Sequence, residues 1–211
     1  MCYSKDFSFF TLVSGILTSY LLKNYGDTKF SETNNKISLF FTFVSLMQLI
    51  EYFIWSDLDC TNGLNKIAGY LGPLLNNLQP FVYYLLHKKT IDNNKYVKLL
   101  NMIYLVYVLI NYFNFINNSN ICSTLLNKHI KWSWSNQNYY FYLIITLINV
   151  ILTFNNKYNK IVSVLSAVFL FLSEKYFNKN IGEFWCLFVT IIPIIIFSIQ
   201  KIDYIRKKYY N

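Results

Sequence analysis

Gln48-Leu-Ile-Glu-Tyr-Phe-Ile-Trp55, followed by Ser56-Asp-Leu-Asp-Cys60, decides how this chain is read. The stretch closes an apolar run that opens at Ile37, so Glu51 lies about a turn inside an apolar helix. Gln48, Glu51 and Trp55 stand at i, i+3 and i+7 and share one helical face. An ionisable group inside a membrane helix is costly and marks a functional position by default. The rest of the chain reads as the cage around that carboxylate.

Composition supports a membrane setting. Of 211 residues, 55% are hydrophobic, 20% aromatic and 14% charged, whereas soluble domains carry about 25% charged residues. Asn, Lys, Ile, Tyr and Phe are over-used together, as an AT-rich genome produces, so single Asn and Lys residues are given little weight. The first apolar run, from Phe7, has no good small-residue cleavage site and reads as a retained helix rather than a signal peptide. There is no Gly-rich phosphate loop, metal-ligand run or Ser/His/Asp cluster. The two histidines, His87 and His129, lie far apart.

Seven apolar segments are long enough, or nearly so, to cross a hydrocarbon layer of roughly 30 Å. They are Phe7–Leu22, Ile37–Trp55, Ile67–Leu86, Val97–Ile116, Tyr139–Phe154, Ile161–Phe177 and Ile181–Ile199. None shows a charged outer face, which argues against a soluble bundle. The expected fold is all-α: a polytopic membrane protein of seven transmembrane helices in one domain, residues 1–200, with a basic cytoplasmic tail, 201–211. Alternate loops divide the 19 Lys and Arg residues into 13 on one side and 6 on the other. The positive-inside rule then puts the C-terminus in the cytoplasm and the N-terminus outside. The net charge of +9 is thereby a topology signal that also suits anionic lipids, and nucleic-acid binding is not expected. The localisation read from these features is integral membrane, multi-pass, with the lipid bilayer as partner.

All four cysteines, Cys2, Cys60, Cys122 and Cys186, fall on the outer half of this arrangement. So do the four tryptophans, Trp55, Trp132, Trp134 and Trp185. Thiols on a non-cytosolic face can pair. Cys60 and Cys122 lie in loops that can meet, and Cys2 and Cys186 lie at outer helix ends. Free buried thiols and, more weakly, a metal site are the alternatives; no metal ligands are assigned. In the last segment Glu183, Cys186, Thr190 and Pro193 share a face. Glu51 and Glu183 lie at similar depth and can share a proton or a cation if they approach. Isolated structural acids are the plainer reading. The third segment carries Gly72-Pro73, Asn76 and Gln79-Pro80. Its prolines free backbone carbonyls that either line a cavity or are met by polar neighbours, and Asn76 and Gln79 can reach Gln48. Ser8, Thr11, Ser14, Gly15 and Thr18 form a small-residue strip suited to close packing. The loop Asn117–Asn138 reads either as a tether on the membrane interface anchored by Trp132 and Trp134 or as a lid over an outer pocket. Asn117-Asn-Ser119 fits a glycosylation acceptor, a match that arises by chance in a chain this rich in Asn.

Met1-Cys-Tyr-Ser4, Gln48-Leu-Ile-Glu51 with Trp55, and Trp185-Cys186-Leu-Phe188 carry a resemblance. The chain resembles a family of uncharacterised seven-helix membrane proteins of bacteria and large DNA viruses. That family opens with Met-Cys-Phe-Ser, carries a Gln-Leu-x-Glu-Gly-x-x-Trp helix and ends with a Trp-Cys-Phe helix. Tyr3 and Tyr52 depart from the pattern, which has Phe and Gly there. The resemblance implies that Cys2, Gln48, Glu51, Trp55, Trp185 and Cys186 belong to one site. It brings no established activity.

The binding-pocket candidates are therefore Gln48, Glu51, Trp55, Asn76, Gln79, Glu183 and Trp185. The expected function is handling of a small solute or ion, as transporter, channel or sensor, through an outer-half polar pocket. A membrane enzyme using thiol or carboxylate chemistry and a structural or interaction protein of a host or viral membrane are the rivals. The ligand and any cofactor are not specified. Ile181–Ile199 contains no Lys for a retinal Schiff base, which argues against an opsin. Oligomerisation is compatible with all three readings.

Overall fold

The computed structural model describes residues 4–91, 94–118, 120–126, 129–134, 140–154, 156–177 and 181–210; the side chains of 118, 169–170, 173–174, 176–177, 181–189 and 208–210 are outside that description. The described residues form eight α-helices and one short hairpin. The helices are α1 (Lys5–Tyr25), α2 (Ser31–Ser56), α3 (Leu64–Leu86), α4 (Lys88–Ile91), α5 (Lys95–Asn118), α6 (Tyr140–Leu152), α7 (Lys157–Phe177) and α8 (Ile181–Tyr210). Each of the seven apolar segments falls on one helix, and the chain is all-α in class. The helical stretches Thr28–Ser56 and Lys95–Asn117 are long and apolar enough to cross a membrane, and Tyr140–Leu152 is apolar but shorter. The helix α8 continues into the basic segment as far as Tyr210.

Local chemistry sets the helix ends. The Ser4 hydroxyl caps α1 by accepting from the Phe7 N–H at 3.2 Å, satisfying a donor that the first turn leaves open. At the other end the Gly26 N–H donates to Leu22 O, and the Asp27 carboxylate accepts from the Lys29 N–H at 2.9 Å. This closes the tight turn into α2. α3 begins after Gly63, whose φ of +83° is a backbone conformation that favours glycine.

α2 is the central element. It packs on α1, α3 and α8, and lightly on α7. α3 carries α5 and α6 on its far side, while α8 bridges α1 and α7. One apolar cluster holds α1, α2, α7 and α8 together around Leu22, Phe41, Tyr158 and Ile196. Another joins α2 and α3 to the hairpin through Met47, Ile54, Trp132 and Trp134.

Apolar side chains also cover the outside. Phe9, Phe10, Val13, Ile16, Leu17 and Tyr20 on α1 are exposed, as are Leu99, Ile103, Val106, Ile110 and Phe113 on α5 and Ile144, Leu147 and Ile151 on α6. Meanwhile Asn34, Gln48, Glu51, Asn101, Asn149 and Gln200 are buried. Contiguous exposed apolar faces of this kind mark contact with lipid or a partner. These buried polar side chains stand among the apolar clusters, while large apolar side chains face outward.

The sequence reading missed the hairpin. Thr124–Leu126 (β1) pairs antiparallel with His129–Lys131 (β2). Three-residue strands leave too short an alternation to be seen among neighbouring Asn and Lys residues.

Candidate functional site

Gln48 and Glu51 lie on the face of α2 that meets α1, and both are 0% exposed. Thr11 of α1 donates from its hydroxyl to the Gln48 side-chain oxygen at 2.6 Å. Below this contact Gly15 brings α1 directly against Ser45 of α2 and Thr190 of α8: a Cβ at Gly15 would overlap the Ser45 hydroxyl and stand 3.1 Å from the Thr190 methyl. The small-residue strip thus serves close approach, as expected, and it also supplies Thr11 as a polar partner. At the opposite end of the same seam, Gln200 of α8 donates to Asn34 Oδ1 at 2.7 Å. Gln200 also accepts from the Asp27 N–H at 2.8 Å.

A second polar seam runs between α3, α5 and α6. Asn101 and Asn149 exchange amide hydrogen bonds of 2.9 and 2.8 Å. Asn149 also donates to Pro80 O at 3.2 Å. Tyr142 donates its hydroxyl to the Gln79 side chain at 3.0 Å. Gln79 is therefore held by α6, not directed at Gln48, and half-buried Asn76 completes that turn of α3. A helical proline releases the carbonyl four residues before it and loosens the turn around that carbonyl. Hydroxyls of neighbouring helices bond the carbonyl three residues before two of the prolines: Tyr104 donates to Asn77 O at 2.7 Å, before Pro80, and Thr18 donates to Thr190 O at 3.1 Å, before Pro193.

The end of the bundle beyond Glu51 is closed by a knitted collar. Cys60 and Cys122 form a disulfide with Cα atoms 6.2 Å apart, one of the pairings expected from the sequence. Asp57 ends α2 and accepts from the backbone N–H groups of Thr61, Asn62 and Asn65 at 2.8, 2.9 and 3.1 Å. Those donors, Asn62 first, hold its carboxyl below the ordinary aspartate value despite burial. Asn65 and Ser123 exchange two bonds of 2.9 Å. Gly69 admits the Ile121 carbonyl and Gly72 the Trp134 ring. Trp132 and Trp134 stack with centroids 5.3 Å apart, and Trp134 is 1% exposed. They are core residues packed among Met47, Ile54 and the partly buried Trp55. The reading of this loop as an interfacial tether with tryptophan anchors is therefore corrected: the described part of the loop is docked as a cap on α2 and α3.

Cys2 lies outside the described residues, as do the side chains of Glu183, Trp185 and Cys186, whose backbone belongs to α8. Among the described residues, no three His, Cys, Asp or Glu side chains group closely enough to hold a metal ion. Sequence reasoning passed over Asn101 and Asn149 because Asn is common throughout the chain. Their position in the middle of long apolar segments was the available signal.

His87, at the end of α3, is the other deeply buried titratable group to note. Its Nδ1 lies 3.0 Å from Tyr83 O, an acceptor, so Nδ1 carries the proton and Nε2 presents a lone pair. The ring stacks on Tyr83 at 4.2 Å, and burial pushes its pKa down to about 4.

Comparison with family models, with curated proteins and with solved structures finds no match to this chain.

Proposed function

We propose that the chain is a seven-span integral membrane protein, N-terminus outside and C-terminus cytoplasmic, that handles a small solute or ion through the polar interior between α1, α2 and α8. The carrying observation is Glu51, fully buried on the central helix one turn from Gln48, which Thr11 of α1 bonds, in a bundle whose outer faces are apolar. A carboxylate in such a setting is expensive to keep charged. Polar glue between helices needs only amides and hydroxyls, as the α3–α5–α6 seam illustrates, so a retained acid points to a species that neutralises it. The Lys and Arg asymmetry supports the orientation, the inner face suits anionic lipid headgroups, and the seven-helix family resemblance supports the same reading.

The test has two stages. In a Cys2→Ser/Cys186→Ser background, a cysteine at Lys95 or Lys207 is expected to react only from the cytoplasmic side, and one at Asn118 only from outside. Reaction of all three from one side removes the seven-span topology. The second stage compares thermal unfolding in detergent over pH 5–8, with and without added cations. Wild type is expected to respond to pH or cation and Glu51→Gln to lose that response. Identical responses make Glu51 a structural acid.

A further inference from the structure

We infer that the ion handled is the proton, and that it moves along the α1–α2–α8 seam between Glu51 and the Asn34–Gln200 cluster. This inference rests on the membrane reading above. The buried polar positions of α2 on this path are Asn34, Ser38, Ser45, Gln48 and Glu51, spaced by four, seven, three and three residues, which keeps them on one face. Seventeen residues at 1.5 Å rise cover about 26 Å, close to the thickness of a hydrocarbon layer. α1 runs antiparallel beside this face in constant register: Thr11 meets Gln48, Gly15 meets Ser45 and Gly26 meets Asn34. The polar face is therefore matched by α1 from one end of the bundle to the other.

The two polar stations are separated by an apolar layer of Leu22, Phe41 and Ile196. Within that stretch Ser19 and Ser38 bury their hydroxyls with no hydrogen-bond partner. Buried hydroxyls in helices ordinarily donate to the carbonyl one turn back, and here Ser8, Ser45 and Ser163 do so. Ser19 and Ser38 are different: donor and lone pairs both remain open, in the one place where a path through the seam lacks polar lining. An open hydroxyl accepts a proton on its lone pair and passes its own onward, and water entering the layer completes the chain. The step is a transfer without redox change. A proton taken up by the Glu51 carboxylate gives the neutral acid, and its release toward Asn34, Gln200 and Asp27 restores the anion. Close packing selects the proton over larger species. At Gly15 the seam has no room for a Cβ, so a metal cation with its ligands, or an organic solute, does not fit between α1 and α2. Glu51 is the one acidic side chain buried along this seam among the described residues.

The experiment uses the full chain, purified and reconstituted into liposomes with a trapped pH dye. A potassium gradient with valinomycin sets the membrane potential. Wild type is expected to carry protons several-fold faster than empty liposomes. Glu51→Gln and the double variant Ser19→Ala/Ser38→Ala are each expected to return the rate to the empty-vesicle level. Thr146→Ala, on α6, is expected to match wild type. The serine variant removes atoms without adding volume, so it keeps the test valid if Glu51→Gln fails to fold. Wild-type flux equal to empty vesicles, or flux unchanged in both variants, overturns the proton path. A parallel sodium-sensitive dye separates the two levels. Sodium flux without proton flux leaves the solute-or-ion reading standing and removes the proton assignment. Absence of both removes both.

Discussion

The α1–α2–α8 seam and the α3–α5–α6 seam both bury polar side chains, and they dispose of them differently. Between α3, α5 and α6 the amides of Asn101 and Asn149 meet each other in both directions, Asn149 meets Pro80 O, and Tyr104 and Tyr142 meet Asn77 O and the Gln79 side chain. That seam is closed chemistry. Between α1, α2 and α8 the same kinds of residue surround a buried carboxylate and leave two hydroxyls open. The lesson is that a buried polar residue is informative about function only after its partners are known. Reciprocal pairing serves cohesion, whereas a seam that buries an acid at one end and keeps two open hydroxyls further along has groups to offer a proton.

The largest effect that sharpens this contrast is expected at the closed seam. Asn149→Leu takes the donor from Asn101 Oδ1 in a dry environment, leaving Nδ2 its bond to Val97 O, and releases Pro80 O. A loss of about 2 kcal/mol is expected, from the cost of unsatisfied buried groups and the measured range for interhelical bonds. Reversible unfolding in mixed micelles checks it, and Asn101→Leu/Asn149→Leu should recover part of the loss. A negligible cost would mean that the closed seam is not cohesive.

Gly15→Ala comes next. The new methyl meets Ser45, whose hydroxyl is held by Phe41 O at 2.7 Å, and the Thr190 methyl. Overpacking of this size costs about 1–2 kcal/mol. A neutral result would show that the open seam has slack, and slack would readmit larger solutes.

His87 tests the closed wing by pH. Its folded value, about 4, lies below its ordinary value of 6.5. The unfolded chain therefore binds more protons between those two values, and stability rises with pH across that window. The full contribution is expected above 6.5, falling toward pH 4 by at most about 1.4 kcal/mol per unit. His87→Gln should flatten the slope in an unfolding series over pH 4–7.

The smallest effect is expected at Ser19→Ala and Ser38→Ala. Removing a buried hydroxyl without a partner should leave stability unchanged, or raise it by up to about 1 kcal/mol. A clear loss in thermal unfolding would mean that these hydroxyls are paired in the working protein, and the distinction between the seams would narrow.

Read from the sequence alone, α1 to α3 and α5 to α8 were visible because their apolar runs are long and lightly interrupted. Glu51 was visible because charge is scarce there, and a Cys60–Cys122 pairing was open because both residues fall in loops on one side. Side-chain chemistry and run length are local properties, so the sequence determines them by itself. Which polar residues meet was decided only in three dimensions. Gln79 turned to Tyr142 and not to Gln48 because its side of α3 meets α6, while α2 packs on α3 through apolar and aromatic contacts such as Phe40 on Tyr83. Trp132 and Trp134 became core because Gly69 and Gly72 leave a groove on α3 that the loop fills. Ser19 and Ser38 look like any other serine of α1 and α2 in sequence. Their hydroxyls stand open because of how α1, α2 and α8 close around them, and helix packing of that kind is set by side chains distant in the chain.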